Sequence, residues 1–181
     1  GTVSVLGLDP RRHSREVRRR VDYLPGDMIL YDRMTGGQLL SYLANLRGGV
    51  DWRFVGELVE RLQCNLSQPI RSLSRGNRQK VGLVQAFMKR PELIIMDEPT
   101  SGLDPLIQQE FYSMVGEVRA DGRTVFMSSH NMPEVERVCD RVGIIREGEL
   151  IAVEDVHALK ERALHQLELH FAAPVPVEAF S

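Results

Sequence analysis

Cysteine is scarce in this sequence. Cys64 and Cys139 are the only two in 181 residues, far apart, with no Cys-x-x-Cys pair and no histidine at ligand spacing. That scarcity argues against a disulfide framework or a zinc site, and for a reducing compartment. Long apolar runs are lacking too, since none approaches the roughly 20 residues that a membrane-spanning helix requires. The opening Gly1-Thr-Val-Ser-Val-Leu6 has no basic stretch or cleavage site, so it is not a signal peptide. It reads as a strand cut from something longer.

A surplus of positive charge is also missing. The net charge is −2, without the basic face that nucleic-acid phosphates demand, so no nucleic-acid partner is expected. The exception is Arg11 to Arg20, where six of ten residues are Arg. It reads as a solvated helix face, with an acidic partner surface or anionic lipid as the alternative. Internal repeats and low-complexity tracts are absent. What is present is the balance of a globular chain, 43% hydrophobic and 27% charged, long enough for one core or a core plus a small lobe.

Along the chain, Thr2–Leu6 alternates as a strand does, ended by the turn residues Gly7-Leu-Asp-Pro10. Ser14 is placed to cap a short helix through Arg20, with Val21–Leu24 a strand and Pro25-Gly26-Asp27 a loop. Thr35 and Gln38 form a capping box ahead of Leu39, Leu40, Leu43 and Leu46. Asp51 caps a helix whose apolar face is Val55, Leu58, Val59 and Leu62, and a third helix is expected over Arg75–Lys89. Residues 31 to 90 thus read as almost wholly helical. Strand and helix then alternate: Leu93–Met96, Leu106–Ala120, Thr124–Ser128, Pro133–Cys139, and a hairpin of Val142–Arg146 with Leu150–Val153. Such alternation predicts a mostly parallel sheet covered by helices. A helix near Val156–Ala163, an alternating Gln166–Phe171 and an open tail from Pro174 end the chain, like the first strand of a further domain.

The chemistry concentrates in Leu93-Ile-Ile-Met-Asp97-Glu98-Pro-Thr-Ser-Gly-Leu-Asp104. A strand ending in Asp97 puts a carboxylate at the carboxyl edge of a sheet, where α/β proteins bind ligands. Such an Asp can hold Mg²⁺ that bridges phosphate oxygens. Glu98 is then free to polarise an attacking water. An apolar run and one Asp alone would be an ordinary strand; the full run through Asp104 is much more specific. Earlier lies Leu73-Ser74-Arg75-Gly76-Asn77-Arg78-Gln79-Lys80. Ser74 opens a helix, whose positive dipole end suits a terminal phosphate, and Gly76 lets backbone approach a ligand. Alone this would be a helix cap. His130 follows the strand Thr124–Ser128 and is placed for phosphate contact at that strand's carboxyl end.

Together these residues resemble the ATP-binding domain of ABC transporters, over about residues 1 to 155. The resemblance implies an α/β fold of the P-loop NTPase (RecA-like) kind, a mostly parallel sheet with an inserted helical subdomain. Residues 1–30 and 91–155 would form a partial ATPase core, 31–90 the helical subdomain, and 156–181 a helix and the start of a C-terminal extension. Leu73–Asn77 looks like the signature sequence, with Ser74, Arg75, Gly76 and Asn77 facing nucleotide. Asp97 corresponds to the Walker B aspartate that serves the metal, Glu98 to the catalytic glutamate, Ser101–Asp104 to the D-loop, and His130 to the switch histidine. Gly26 falls at the Q-loop. ATP and Mg²⁺ are the implied cofactors, and transmembrane permease subunits and a second ATP-binding subunit the implied partners. The implied location is the cytoplasmic face of the cell membrane, and the implied activity is ATP hydrolysis driving export, most like ABC-2-type exporters.

Three departures stand out. The signature carries Arg75 for Gly and Asn77 for Gln, and the Q-loop carries Gly26, which offers no side-chain oxygen, with Asp27 the nearest substitute. The third is larger. A P-loop needs Gly-x-x-x-x-Gly-Lys-Ser/Thr, yet Lys80 precedes Val81, Lys89 precedes Arg90, and Lys160 precedes Glu161. The Walker A strand and loop are therefore expected before Gly1, and the 181 residues alone are expected to bind ATP poorly. The absent strand would lie beside the Walker B strand, leaving apolar edges unpaired and the chain prone to aggregate. Two other classes remain open: an ABC-type ATPase not involved in transport, and a non-catalytic interaction module. The short distance from signature to Walker B, with no heptad run between, argues against chromosome-maintenance relatives.

Overall fold

The computed structural model describes residues 1–26, 31, 33–46 and 48–162. The expected strand Gln166–Phe171, the open tail from Pro174, and Asp27 lie outside the described residues. The chain forms two compact units, Gly1–Val138 and Cys139–Ser181. That division falls inside the stretch 91–155 expected as part of one core.

In the first unit the order is α1 (Ser14–Arg20), β1 (Val21–Leu24), α2 (Gly36–Leu46), α3 (Trp52–Arg61), α4 (Arg75–Phe87), β2 (Leu93–Asp97), α5 (Pro105–Ala120), β3 (Thr124–Ser128) and α6 (Met132–Val138). The three strands are parallel in the order β1-β2-β3. The α/β expectation therefore holds, and among the described residues the regular elements between β1 and β2 are helices. The capping box forms as read: the Thr35 N–H donates to Gln38 Oε1 at 2.9 Å, and the Gln38 N–H donates to Thr35 Oγ1 at 3.2 Å. Asp51 caps α3 by accepting from the N–H groups of Arg53 and Phe54.

The core gathers around α4, whose Val81, Leu83, Val84, Ala86 and Phe87 are buried with Leu39 and Leu40 of α2 and Val55 and Leu58 of α3. From the other side come Leu24, Ile94 and Met96 of the sheet and Ile107, Phe111 and Met114 of α5. Arg61 fastens α3 to α5, donating to Glu110 at 2.5 Å and to Glu117 at 2.6 and 2.8 Å. This burial seats one face of the sheet on the core and fixes where the last residue of β2 emerges. The opposite sheet face differs: the register row Tyr23–Ile95–Phe126 leaves Tyr23 53% and Phe126 67% exposed.

Three expectations need correction. Thr2–Leu6 is not a strand. Leu6 and Gly7 have φ of +52° and +79°, turning the chain so that Val5 and Leu8 exchange hydrogen bonds of 2.9 and 3.0 Å. Alternation without a partner strand does not make a ladder. Ser14 does not cap α1 from outside; His13 holds that position, and Ser14 accepts from Arg18 within the helix at 3.2 Å. Finally, no further strand has room beside β2, because β1 and β3 occupy both its edges. Among the described residues the unpaired edges belong to β1 and β3.

The second unit contains β4 (Arg141–Arg146), β5 (Glu149–Asp155) and α7 (Val156–Arg162). The hairpin is antiparallel and turns at Glu147 and Gly148, both with positive φ. Paired φ > 0 residues match the right-handed strand twist in a tight hairpin. Among the described residues no helix is long and apolar enough to cross a membrane.

Candidate functional site

The carboxyl ends of the three parallel strands bring Gly26, Asp97, Glu98 and Ser128 together. Asp97 closes β2 and is the register partner of Ser128, which closes β3. The Ser128 hydroxyl donates to Asp97 Oδ1, and Ser128 Oγ accepts the Glu98 N–H at 3.1 Å. Gly26 follows β1, and a Cβ there would lie 2.9 Å from Asp97 Oδ2 and 3.2 Å from its Cγ. One carboxylate oxygen of Asp97 is thus held, while the other faces space that a larger residue at position 26 would fill.

Glu98 departs from the strand abruptly. Its φ is +47°, a left-handed conformation that costs a residue with Cβ roughly 1–2 kcal/mol. The turn swings its side chain away from Asp97 and towards the next strand, where Oε1 meets His130 Nδ1 at 2.9 Å. His130 is 86% exposed at its side chain and Glu98 31%. The hydrogen bond accepted by Glu98, aided by its charge, holds the imidazole pKa above its ordinary value. A strand-end carboxylate, a second carboxylate beside it and a histidine on that second carboxylate form one surface.

The residues of the signature-like stretch sit at the start of α4. Ser74 is the N-cap, with φ −60° and ψ 163°, and its Oγ accepts from the Asn77 N–H at 3.3 Å. Ser74 and Arg75 are exposed and Asn77 half-buried. Gly76 packs against the loop after β2: a Cβ on Gly76 would lie 2.3 Å from the carbonyl oxygen of Gly102. Asp104 ends that loop and caps α5, accepting from the Ile107 N–H at 3.1 Å. Its pKa is held down chiefly by that backbone bond, with Lys80 adding at 3.7 Å. The structure therefore gathers Gly26, Asp97, Glu98 and His130 at the strand ends, and sets Ser74, Arg75, Gly76 and Asn77 against the loop that carries Asp104.

Three residues that no sequence motif singles out contribute here. Ser128 ends a strand in the sequence pattern, yet it holds both Asp97 and the backbone of Glu98. Gln79 is 4% exposed, and its amide donates to the carbonyls of Pro99 at 2.9 Å and Glu98 at 3.4 Å. Lys80, 9% exposed, reaches Asp104. The available signal was a pair of polar residues one helical turn before Leu83 and Val84, on a helix otherwise apolar towards the core. Among the described residues, no group of three or more His, Cys, Asp or Glu is placed to hold a metal ion by itself.

A protein-family model described as "ABC transporter" matches residues 1–101. The chain is similar to the ABC transporter ATP-binding protein YtrB of Bacillus subtilis (strain 168), with 32% identity over 162 residues, 89% of this chain and 55% of that protein. It is likewise similar to the bacitracin transport ATP-binding protein BcrA of Enterococcus faecalis, 32% identical over 165 residues, 90% of this chain and 54% of that protein. The chain spans about half the length of these relatives. A solved structure described as an ATP binding subunit of an ABC transporter superposes with a TM-score of 0.82 at 29% identity, covering 90% of this chain and 70% of that one.

Proposed function

The chain belongs to the ATP-binding subunits of ABC transporters, and from that membership we propose that the full-length protein hydrolyses Mg-ATP to drive export through separate membrane subunits. The observation that carries the hydrolytic reading is the convergence of Asp97, Glu98 and His130 at the ends of β2 and β3.

The residues fit a magnesium ion of the kind that phosphoryl transfer uses. Mg²⁺ commonly takes one or two carboxylates, with water and phosphate oxygens completing its shell. Asp97 offers Oδ2 towards the space left by Gly26, while Ser128 fixes the other oxygen. Bound there, the ion would supply positive charge to neutralise phosphate oxygens. Glu98 accepts a proton from the attacking water, as a carboxylate fixed beside the reacting phosphate is suited to do. His130 orients Glu98 through Nδ1 and leaves Nε2 for a phosphate oxygen.

Ser74 serves a different nucleotide. Its oxygen accepts from Asn77, so the hydroxyl proton remains to be donated to a phosphate held by a second ATP-binding subunit, with the start of α4 adding a positive dipole end. Arg75, Gly76 and Asn77 line the same approach, and Asp104 presents the loop at the boundary between subunits. Residues 1–30 and 91–155 act as the ATPase core and 31–90 as the helical subdomain facing the membrane subunits, while 156–181 begins an extension. The protein works at the cytoplasmic face of the membrane.

The 181 residues bind Mg-ATP only weakly alone, because none of their three lysines sits in a Gly-Lys-Ser/Thr loop. Equilibrium dialysis of this chain should find binding weaker than micromolar; micromolar binding would contradict that part of the reading. Coupling is tested by reconstituting the full-length protein with its membrane subunits in lipid vesicles. Their presence should raise Mg-ATP hydrolysis several-fold. A rate indifferent to them would argue for an ATPase outside transport.

A further inference from the structure

Glu98 holds a backbone conformation that its own side chain does not favour, so something outside the loop must hold it. On its amino side the Glu98 N–H donates to Ser128 at 3.1 Å. On its carboxyl side the carbonyls of Glu98 and Pro99 both point to one amide, Gln79 Nε2, at 3.4 and 2.9 Å. Pro99 and Thr100 are buried, as is Gln79. The Glu98 carbonyl also accepts the Ser101 N–H at 3.1 Å, so it is the buried Pro99 carbonyl that relies on Gln79, and an unpaired buried carbonyl is costly. Gln79 lies one and a half turns along the helix that Ser74 begins, so its position is set by the α4 core contacts and not by the loop it grips.

We propose that Gln79 is a positioning residue for Glu98, clamping the carbonyls on either side of the Glu98–Pro99 bond so that the carboxylate meets His130. This rests on the reading of Glu98 as the group that activates water. Without the Gln79 amide, the Pro99 carbonyl is left unpaired and the left-handed turn at Glu98 keeps only the Ser101 N–H on its carboxyl side. The loop relaxes towards an ordinary conformation, and the carboxylate leaves both His130 and the line of attack. Nucleotide affinity is little changed, because Gln79 is buried behind the loop. Geometry of this kind affects the chemical step more than binding.

The test compares Gln79→Met, of similar length but without a donor, and Gln79→Glu, of the same shape but only accepting, in the full-length protein. Steady-state Mg-ATP hydrolysis and the imidazole nitrogen NMR signals of His130 at fixed pH are read together. The expected result for both variants is a kcat on the order of 10-fold lower with KM within about twofold, and His130 signals shifted towards those of the Glu98→Gln protein. If Gln79→Met loses its cooperative melting, Gln79→Glu and its His130 signals carry the comparison. A kcat within twofold of the parent, or His130 signals unchanged in both variants, would overturn the proposal. Glu98→Gln separates the two levels. If it abolishes hydrolysis while the Gln79 variants do not, only the clamp fails; if it leaves hydrolysis intact, the role of Glu98 fails and the clamp with it.

Discussion

Gly76 and Gly102 approach so closely that a methyl group on Gly76 would lie 2.3 Å from the Gly102 carbonyl oxygen. The first turn of α4 and the loop between β2 and α5 are thereby pressed together without a side chain between them. The loop atom is backbone and has few ways to yield. Gly76→Ala is expected to destabilise the chain by about 1–3 kcal/mol, the usual cost of overpacking. Gly102→Ala should cost roughly 1–2 kcal/mol by a different route, since Gly102 has φ of +76° while its added Cβ would meet only ordinary contacts near 3.5 Å. Urea unfolding of both variants checks the pair; a neutral Gly76→Ala would mean the approach is looser than described.

The row Tyr23–Ile95–Phe126 crosses all three strands on one sheet face, with Tyr23 and Phe126 more than half exposed. Contiguous exposed apolar surface of this kind invites association. The 181-residue chain should therefore self-associate with rising concentration, and Phe126→Lys should reduce that association while leaving the melting temperature nearly unchanged. Sedimentation showing a monomer at all concentrations for the parent chain would count against this.

His130 carries a pH signature. Its pKa is raised above the ordinary 6.5 by the hydrogen bond and charge of Glu98. A raised folded-state pKa means that the contact adds stability below the unfolded value, and that the contribution fades as pH climbs through the folded value. An NMR titration should place the His130 midpoint above 6.5, and Glu98→Gln should return it towards that value. An identical midpoint in both proteins would show that the two side chains do not meet in solution.

Cys64 should be a poor nucleophile. Burial pushes its thiol pKa up to about 11, so little thiolate exists near neutral pH. In native buffer at pH 8, alkylating reagents should modify Cys64 far more slowly than in urea. Equal rates would contradict its burial.

Much of this arrangement was legible in the residues. Asp97 at the end of an apolar run, Glu98 after it and His130 past the next strand could be set at one sheet edge, because parallel strands present their carboxyl ends together. The caps at Thr35 and Asp51 use short polar side chains to meet free backbone donors, a local chemistry that tertiary contacts seldom override. Thr2–Leu6 was misread because alternation records which face a strand would bury, not whether a partner exists. The clamp by Gln79 was hidden for a related reason. It depends on a left-handed turn at Glu98 and on α4 packing behind that turn, and neither is encoded near Gln79. The contact of Gly76 with its own chain's Gly102 was hidden too, because nothing near Gly76 in sequence encodes where the loop after β2 lies.

Glu98→Gln in the full-length protein is the most direct test, with ATP hydrolysis and ATP binding measured on the same preparation. The amide keeps the shape of Glu98 but cannot take a proton from water, so kcat should fall by at least about 100-fold while the affinity for Mg-ATP holds. Hydrolysis persisting near the parent rate, with binding unaltered, would contradict the account.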